Sequence, residues 1–87
     1  MFKIEIFTPE KKVFAGEVDH LVAKGKNGWF GILTAHAPLL ASLLPGDLRL
    51  DMSDKTKQVF NLPGSSILEI DNNKVILLTD MIIPRPA

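Results

Sequence analysis

Apolar and polar residues alternate with a period of two along most of the chain, the pattern of a strand with one buried and one wet face. Phe2, Ile4 and Ile6 alternate with Lys3 and Glu5, while Leu48, Leu50 and Met52 alternate with Asp47, Arg49 and Asp51. Thr8-Pro9-Glu10 interrupts the first run, because proline lacks an N–H donor and fixes φ. Val13 to Gly16 resumes an extended run, and in Val18 to Ala23 both phases are largely apolar, which places that strand between layers or beneath a partner. Ser53-Asp54-Lys55 predicts a turn with Thr56 to Leu62 as the returning strand. Ser66 to Ile70, the turn Asp71-Asn72-Asn73, and Lys74 to Thr79 predict a second hairpin, since Asn tolerates positive φ. Leu39 to Leu44 fits either a helical turn or a buried strand. The tail 81–87, with Pro84 and Pro86, is expected to end the fold without adding an element. Short strands divided by Pro, Gly and Asn, with no long amphipathic helix, predict an all-β antiparallel sandwich or barrel.

One stretch departs from the alternation. Residues 25–40 hold three glycines, the single Trp, His36 and Pro38, and read as a loop on a β scaffold. Trp29 and Phe30 lie between Gly28 and Gly31, where they either cover the core or project as an anchor for a protein partner.

Composition narrows what that scaffold could serve. A chain of 87 residues allows one domain, here 1–87, with a core sandwich over 1–80 and a terminal tail over 81–87. Ten basic and ten acidic residues cancel, which removes the electrostatic footprint of a nucleic-acid binder or a polybasic membrane anchor. With no Cys, neither a disulfide nor a thiolate zinc site supplements the core. The amino end carries charges at alternate positions, unlike a signal peptide or a membrane span.

The candidate chemistry is thin. His20 and His36 lie on separate segments without metal-ligand spacing, and His20 falls in phase with Val18 and Val22, as a sheet-face histidine satisfied by a neighbouring carbonyl or carboxylate would. Ser65-Ser66 is the one pair suited to a nucleophile, but a strand follows it instead of the helix of a nucleophile elbow. Gly25, Gly28 and Gly31 lack the helix N-terminus and the Lys-Ser/Thr of a phosphate cradle, so they serve turns. No catalytic, cofactor-binding or metal-ligating residue is expected.

Phe30-Gly31-Ile32-Leu33 followed by His36-Ala37-Pro38-Leu39-Leu40 resembles the amino-terminal domain of the epsilon subunit of F-type ATP synthases. Thr8-Pro9-Glu10 with Gly16-Glu17-Val18, Pro45-Gly46 with Leu48-Arg49, and Gly64 with Leu68-Glu69-Ile70 extend the resemblance over nearly the whole chain. It implies a ten-stranded antiparallel β-sandwich, or flattened barrel, of two packed sheets. It also implies a non-catalytic rotor subunit, peripheral to the cytoplasmic face of a bacterial energy-transducing membrane, that couples proton flow to ATP synthesis. The implied gamma-subunit contacts fall at Thr8, His36, Pro38 and Leu40, and the implied c-ring contacts at Lys26, Asn27 and Trp29. Trp29 departs from the acidic residue many relatives place there, exchanging an ionic contact for buried area and cation–π attraction. Thr34 and Pro63 depart in turns, and the helical pair that usually follows is absent from this sequence, so its inhibitory and nucleotide-binding roles are not assigned. The alternatives are a free-standing sandwich binding a small molecule near Trp29 and His36, and a hydrolase built on Ser65 or Ser66.

Overall fold

The computed structural model describes residues 1–26, 28–33 and 38–86, apart from the side chains of Phe30 and Leu33. Nine strands lie among the described residues: β1 (Phe2–Phe7), β2 (Lys12–Gly25), β3 (Gly28–Leu33), β4 (Leu39–Leu43), β5 (Gly46–Met52), β6 (Lys57–Leu62), β7 (Ser66–Asp71), β8 (Lys74–Thr79) and β9 (Ile83–Arg85). One layer runs β1-β8-β7-β4, and the other holds β3, the second half of β2, β5, β6 and β9. β2 belongs to both layers. Its first half pairs with β1 from Lys12 to Val18, its second half lies between β3 and β5, and Gly25 meets Leu43 of β4 at the far corner.

The period-two pattern is realised most cleanly in β7, where Ser66, Leu68 and Ile70 are buried and Ile67, Glu69 and Asp71 are exposed. Phe2, Ile4 and Ile6 of β1 meet Leu48 and Leu50 of β5, Leu68 of β7 and Leu77 of β8 in one core cluster, with Phe14, Met52 and Ile82 packed at its margin. Phe14 and Phe60 close one side edge-to-face, with ring centroids 5.2 Å apart, a geometry that the ring quadrupoles favour. The β7–β8 turn places Asn72 and Asn73 at φ 50° and 60°, as a two-residue turn matched to strand twist requires.

The two apolar phases of residues 18–23 have a specific cause. Val18 pairs with Met52 and His20 with Asp51, so Asp19 is an extra residue opposite a single step of β5. This β-bulge switches the buried phase from Val18 to Leu21 and Ala23. The Asp19 carboxylate accepts a hydrogen bond from Ser53 Oγ at 3.0 Å and faces Lys55 Nζ at 3.5 Å; the Ser53 bond is the main reason its carboxyl sits below the usual range.

Three expectations are corrected. The runs at 13–16 and 18–23 form one continuous 14-residue strand. Residues 28–33, read as a loop, form β3, because Trp, Phe and Ile favour a pleated surface and Gly28, at φ 116°, supplies the turn. The tail adds β9, whose Ile83, Pro84 and Arg85 pair with Asn61, Phe60 and Val59 at the sheet edge, where a proline removes no essential ladder bond. The open question at Leu39–Leu43 resolves as a strand paired along its length with β7. No helix among the described residues is long and apolar enough to cross a membrane.

Glu5 ties β1 to both neighbours, lying 2.8 Å from Lys12 Nζ of β2 and 2.9 Å from Lys74 Nζ of β8. Hydrogen bonds from Lys12 and then Lys74 lower its pKa from 4.5 to about 2. A depressed carboxylate pKa gives a stabilisation that is complete above the unfolded-state value and lost as pH falls through the folded one. Glu5→Gln is therefore expected to lower the melting temperature slightly at neutral pH, the pairs being solvent-accessible. The difference from the parent should shrink from pH 4.5 downward and vanish near pH 2, which thermal melts across that range measure.

Candidate functional site

Of the partner-contact residues that sequence reasoning singled out, the described ones fall on two adjoining surfaces. Across the outer face of the first layer, Phe7, Leu78, Ile67 and Ser42 stand in one register row over β1, β8, β7 and β4. Strand parity turns all four away from the core, yet three are apolar. Ile67 is 47% and Leu78 50% exposed, and Leu40, one row along beside Glu69, is 71% exposed. An open groove of about 630 Å³ follows this row, lined by Phe7, Thr8, Ser42, Leu44, Ile67 and Leu78. Thr8 is fixed at its rim, its N–H donating to the Lys11 carbonyl at 2.9 Å.

The second surface is the tip of the β2–β3 hairpin. Lys26, Gly28 and Trp29 face Leu39, Ala41 and Ser42 of β4 across a depression of about 420 Å³. Trp29 pairs with Lys24 across the hairpin and is 57% exposed, so it projects and is not a lid on the core. Ser42 lines both depressions, and β4 is the wall between them.

The structure thus brings Thr8 and Leu40 onto the same outer face, leaves Pro38 exposed just before β4, and sets Lys26 and Trp29 beside that strand. Asn27 and His36 lie outside the described residues. Ile67, Leu78 and Leu44 were missed by sequence reasoning. The signal for the first two was present: each is an aliphatic residue in the polar phase of its strand, next to Glu69 and Lys74 two or four positions away.

The groups weighed for chemistry are otherwise engaged. His20 Nδ1 lies 3.4 Å from Asp51 Oδ2, and Lys57 Nζ is 3.6 Å from the other oxygen. Its ring covers Gly31, where a β-carbon would come within 2.7 Å of Nε2, so glycine at 31 makes room for the imidazole. This is the expected sheet-face histidine held by a carboxylate, although the bulge at Asp19 leaves it in phase with Val22 and not with Val18. Ser66 Oγ–H donates to Thr79 Oγ1 at 2.8 Å, and the Thr79 hydroxyl donates to the Met81 carbonyl at 3.1 Å. The buried hydroxyls satisfy each other in a chain that ends on backbone, an arrangement that holds the β7–β8 ends together. Among the described residues, no three His, Cys, Asp or Glu side chains converge to hold a metal ion.

Residues 1–85 match the family model for the ATP synthase delta/epsilon chain, beta-sandwich domain. The chain is 47% identical over 79 residues to the ATP synthase epsilon chain of Chlorobium limicola, covering 91% of this chain and 89% of that one. It is 42% identical over 78 residues to the epsilon chain of Leptospira interrogans, where it spans 60% of the relative's length. Among solved structures, a chain in the Euglena gracilis mitochondrial ATP synthase (OSCP/F1/c-ring) superposes with a TM-score of 0.85 at 17% identity, covering 93% of this chain and 51% of that chain. A chain from the Tetrahymena thermophila mitochondrial ATP synthase central stalk and c-ring gives 0.80 at 15% identity, covering 93% and 64%. At those identities the likeness speaks for the fold.

The exposure of Trp29 has a direct spectroscopic consequence, because it is the single tryptophan. The free chain is expected to emit at the red end of the tryptophan range and to be readily quenched by acrylamide. Blue-shifted emission shielded from the quencher would show the indole packed into the core.

Proposed function

Because the chain belongs to the ATP synthase delta/epsilon family, matched through its β-sandwich domain, we propose that it docks the gamma subunit on one surface and the c-ring on the other. It is a stalk subunit and not an enzyme. In this role it couples proton flow through the ring to ATP synthesis, held peripherally at the cytoplasmic face of a bacterial membrane by its partners.

The observation that carries the reading is the apolar row on a wet sheet face. Phe7, Ile67 and Leu78, with Leu40 and Leu44 beside them, form a contiguous patch, and such patches on small domains mark partner surfaces. Gamma would cover this row together with Thr8, Pro38, Leu40 and the His36 segment. The ring would meet Lys26, Asn27 and Trp29 at the hairpin tip, where an exposed indole offers apolar area and a face for a cation. The two contacts flank one short strand, β4, so force applied at one reaches the other through paired backbone and not through a flexible link.

The small-molecule reading fits less well. A ligand pocket is concave and closes most of its ligand away from water with converging polar groups; both depressions here are open, and the Ser66 and Thr79 hydroxyls are already paired.

The test is affinity for a gamma subunit, titrated with folded variants. Leu78→Asp and Ile67→Asp are each expected to weaken binding about tenfold or more, the cost of a charge at a central contact of about 2 kcal/mol. Gln58→Asp, exposed on the opposite layer, should bind as the parent does. Undiminished binding by Leu78→Asp would place gamma elsewhere.

A further inference from the structure

The second layer has two outer edges, and they differ in how they are guarded. β9 is three residues long, carries Pro84 within it and Pro86 after it, and holds Arg85 against Asp47 at 2.7 Å. Short length, proline and charge are the usual means of preventing another strand from adding. β3 has none of them. Its six residues, Gly28 to Leu33, include no proline and no charge, and among the described residues it pairs with β2 alone.

The direction of the unpaired groups follows from the hairpin. Gly25 pairs with Gly28 across a two-residue connection, and the pair closing such a connection exchanges hydrogen bonds. Every second pair does the same, so Ala23–Phe30 and Leu21–Ile32 are the bonded pairs. Lys24 agrees: its carbonyl accepts from the Leu44 N–H at 2.9 Å, on the side away from β3. Its partner Trp29, and with it Gly31 and Leu33, therefore directs N–H and C=O outward at the open edge.

We propose that β3 takes up an extended segment of a partner chain in the rotor as an added strand, with an acidic side chain of that segment at the Lys26 end. The inference rests on the stalk assignment above and adds the chemistry of the partner. Backbone hydrogen bonds to Trp29, Gly31 and Leu33 supply the contact, as in other cases of strand addition. The charge preference comes from Lys26, which lies beside Trp29 at the hairpin tip and forms no ion pair among the described residues. Gly31 puts no side chain on the outer face beside the added strand, and His20 already fills the space above it.

Amide hydrogen exchange, on the dilute free chain and on the chain within a purified rotor complex of stalk and ring, tests this. In the free chain the Phe30 and Ile32 amides should be protected and those of Trp29, Gly31 and Leu33 should exchange fast. In the complex the latter three should slow by about 100-fold or more, as expected for amides drawn into a ladder. Equal protection of all five in the dilute free chain would overturn the proposal. Protection that grows with concentration of the free chain would also do so, since it assigns the edge to a second copy. A matched pair of variants separates the backbone donor from the space it occupies. Gly31→Pro should lower retention in the complex at least tenfold relative to Gly31→Ala, because both carry a β-carbon and only Pro lacks the outward N–H. Equal retention would count against strand addition. A chain retained with its three amides unprotected contradicts strand addition alone, whereas a chain not retained at all contradicts the stalk assignment, and the proposal falls with it.

Discussion

The pairing of β2 with both layers, across the one-residue offset at Asp19, is the constraint on which the rest of the molecule depends. Residues 12–18 complete the first layer against β1, and residues 20–25 organise the second between β3 and β5. A strand without an offset would keep one buried phase throughout and would present Asp19, Leu21 and Ala23 on the wrong face for one of its halves. The bulge lets Val18 serve one layer and Leu21 and Ala23 the other. Ser53 and Lys55 of the β5–β6 turn hold the Asp19 carboxylate, so the offset is fixed by the same strand pair that it serves.

Both candidate surfaces are products of that arrangement. β2 ends in the hairpin that presents Lys26 and Trp29, and its last residue pairs with Leu43 of β4. β4 in turn carries Leu40 and Ser42 on the face shared with Ile67 and Leu78. On the proposed stalk role the two contacts need to be joined by rigid elements, and here the join is the Gly25–Leu43 pair followed by the β4–β7 ladder. The described polar groups weighed for chemistry are spent on holding strands together, His20 with Asp51 and Ser66 with Thr79.

Where the residues alternate simply, the strand could be read from them. β1 and β5 were legible from their strict alternation, and β7 and β8 from the turn residues at 63–65 and 71–73 that bound them, as those at 53–55 bound β5. β2 was legible only as an anomaly, since a bulge changes phase without changing composition. β3 was hidden by its glycines: Gly28 makes a turn and Gly31 makes room for a ring from the next strand, and only the second depends on a contact made after folding. β9 was hidden by prolines that exclude a helix but not an edge strand. Of the site, Thr8, Leu40, Lys26 and Trp29 came from resemblance and lie at the surface. Ile67 and Leu78 became visible only when register set them in one row with Phe7.

The claim that one offset in β2 sets both layers is tested most directly by inserting one Ala between His20 and Leu21 and following thermal unfolding, with one Gly inserted after the exposed turn residue Gly64 as the control. The added residue would put Leu21 and Ala23 on the face opposite Val18, exposing core residues of one layer at a cost comparable with the whole stability of a small domain, about 5 kcal/mol or more. The insertion after Gly64 is expected to melt cooperatively and the insertion after His20 to show no cooperative transition. A cooperative transition for the latter, within a few degrees of the parent's, would contradict the claim.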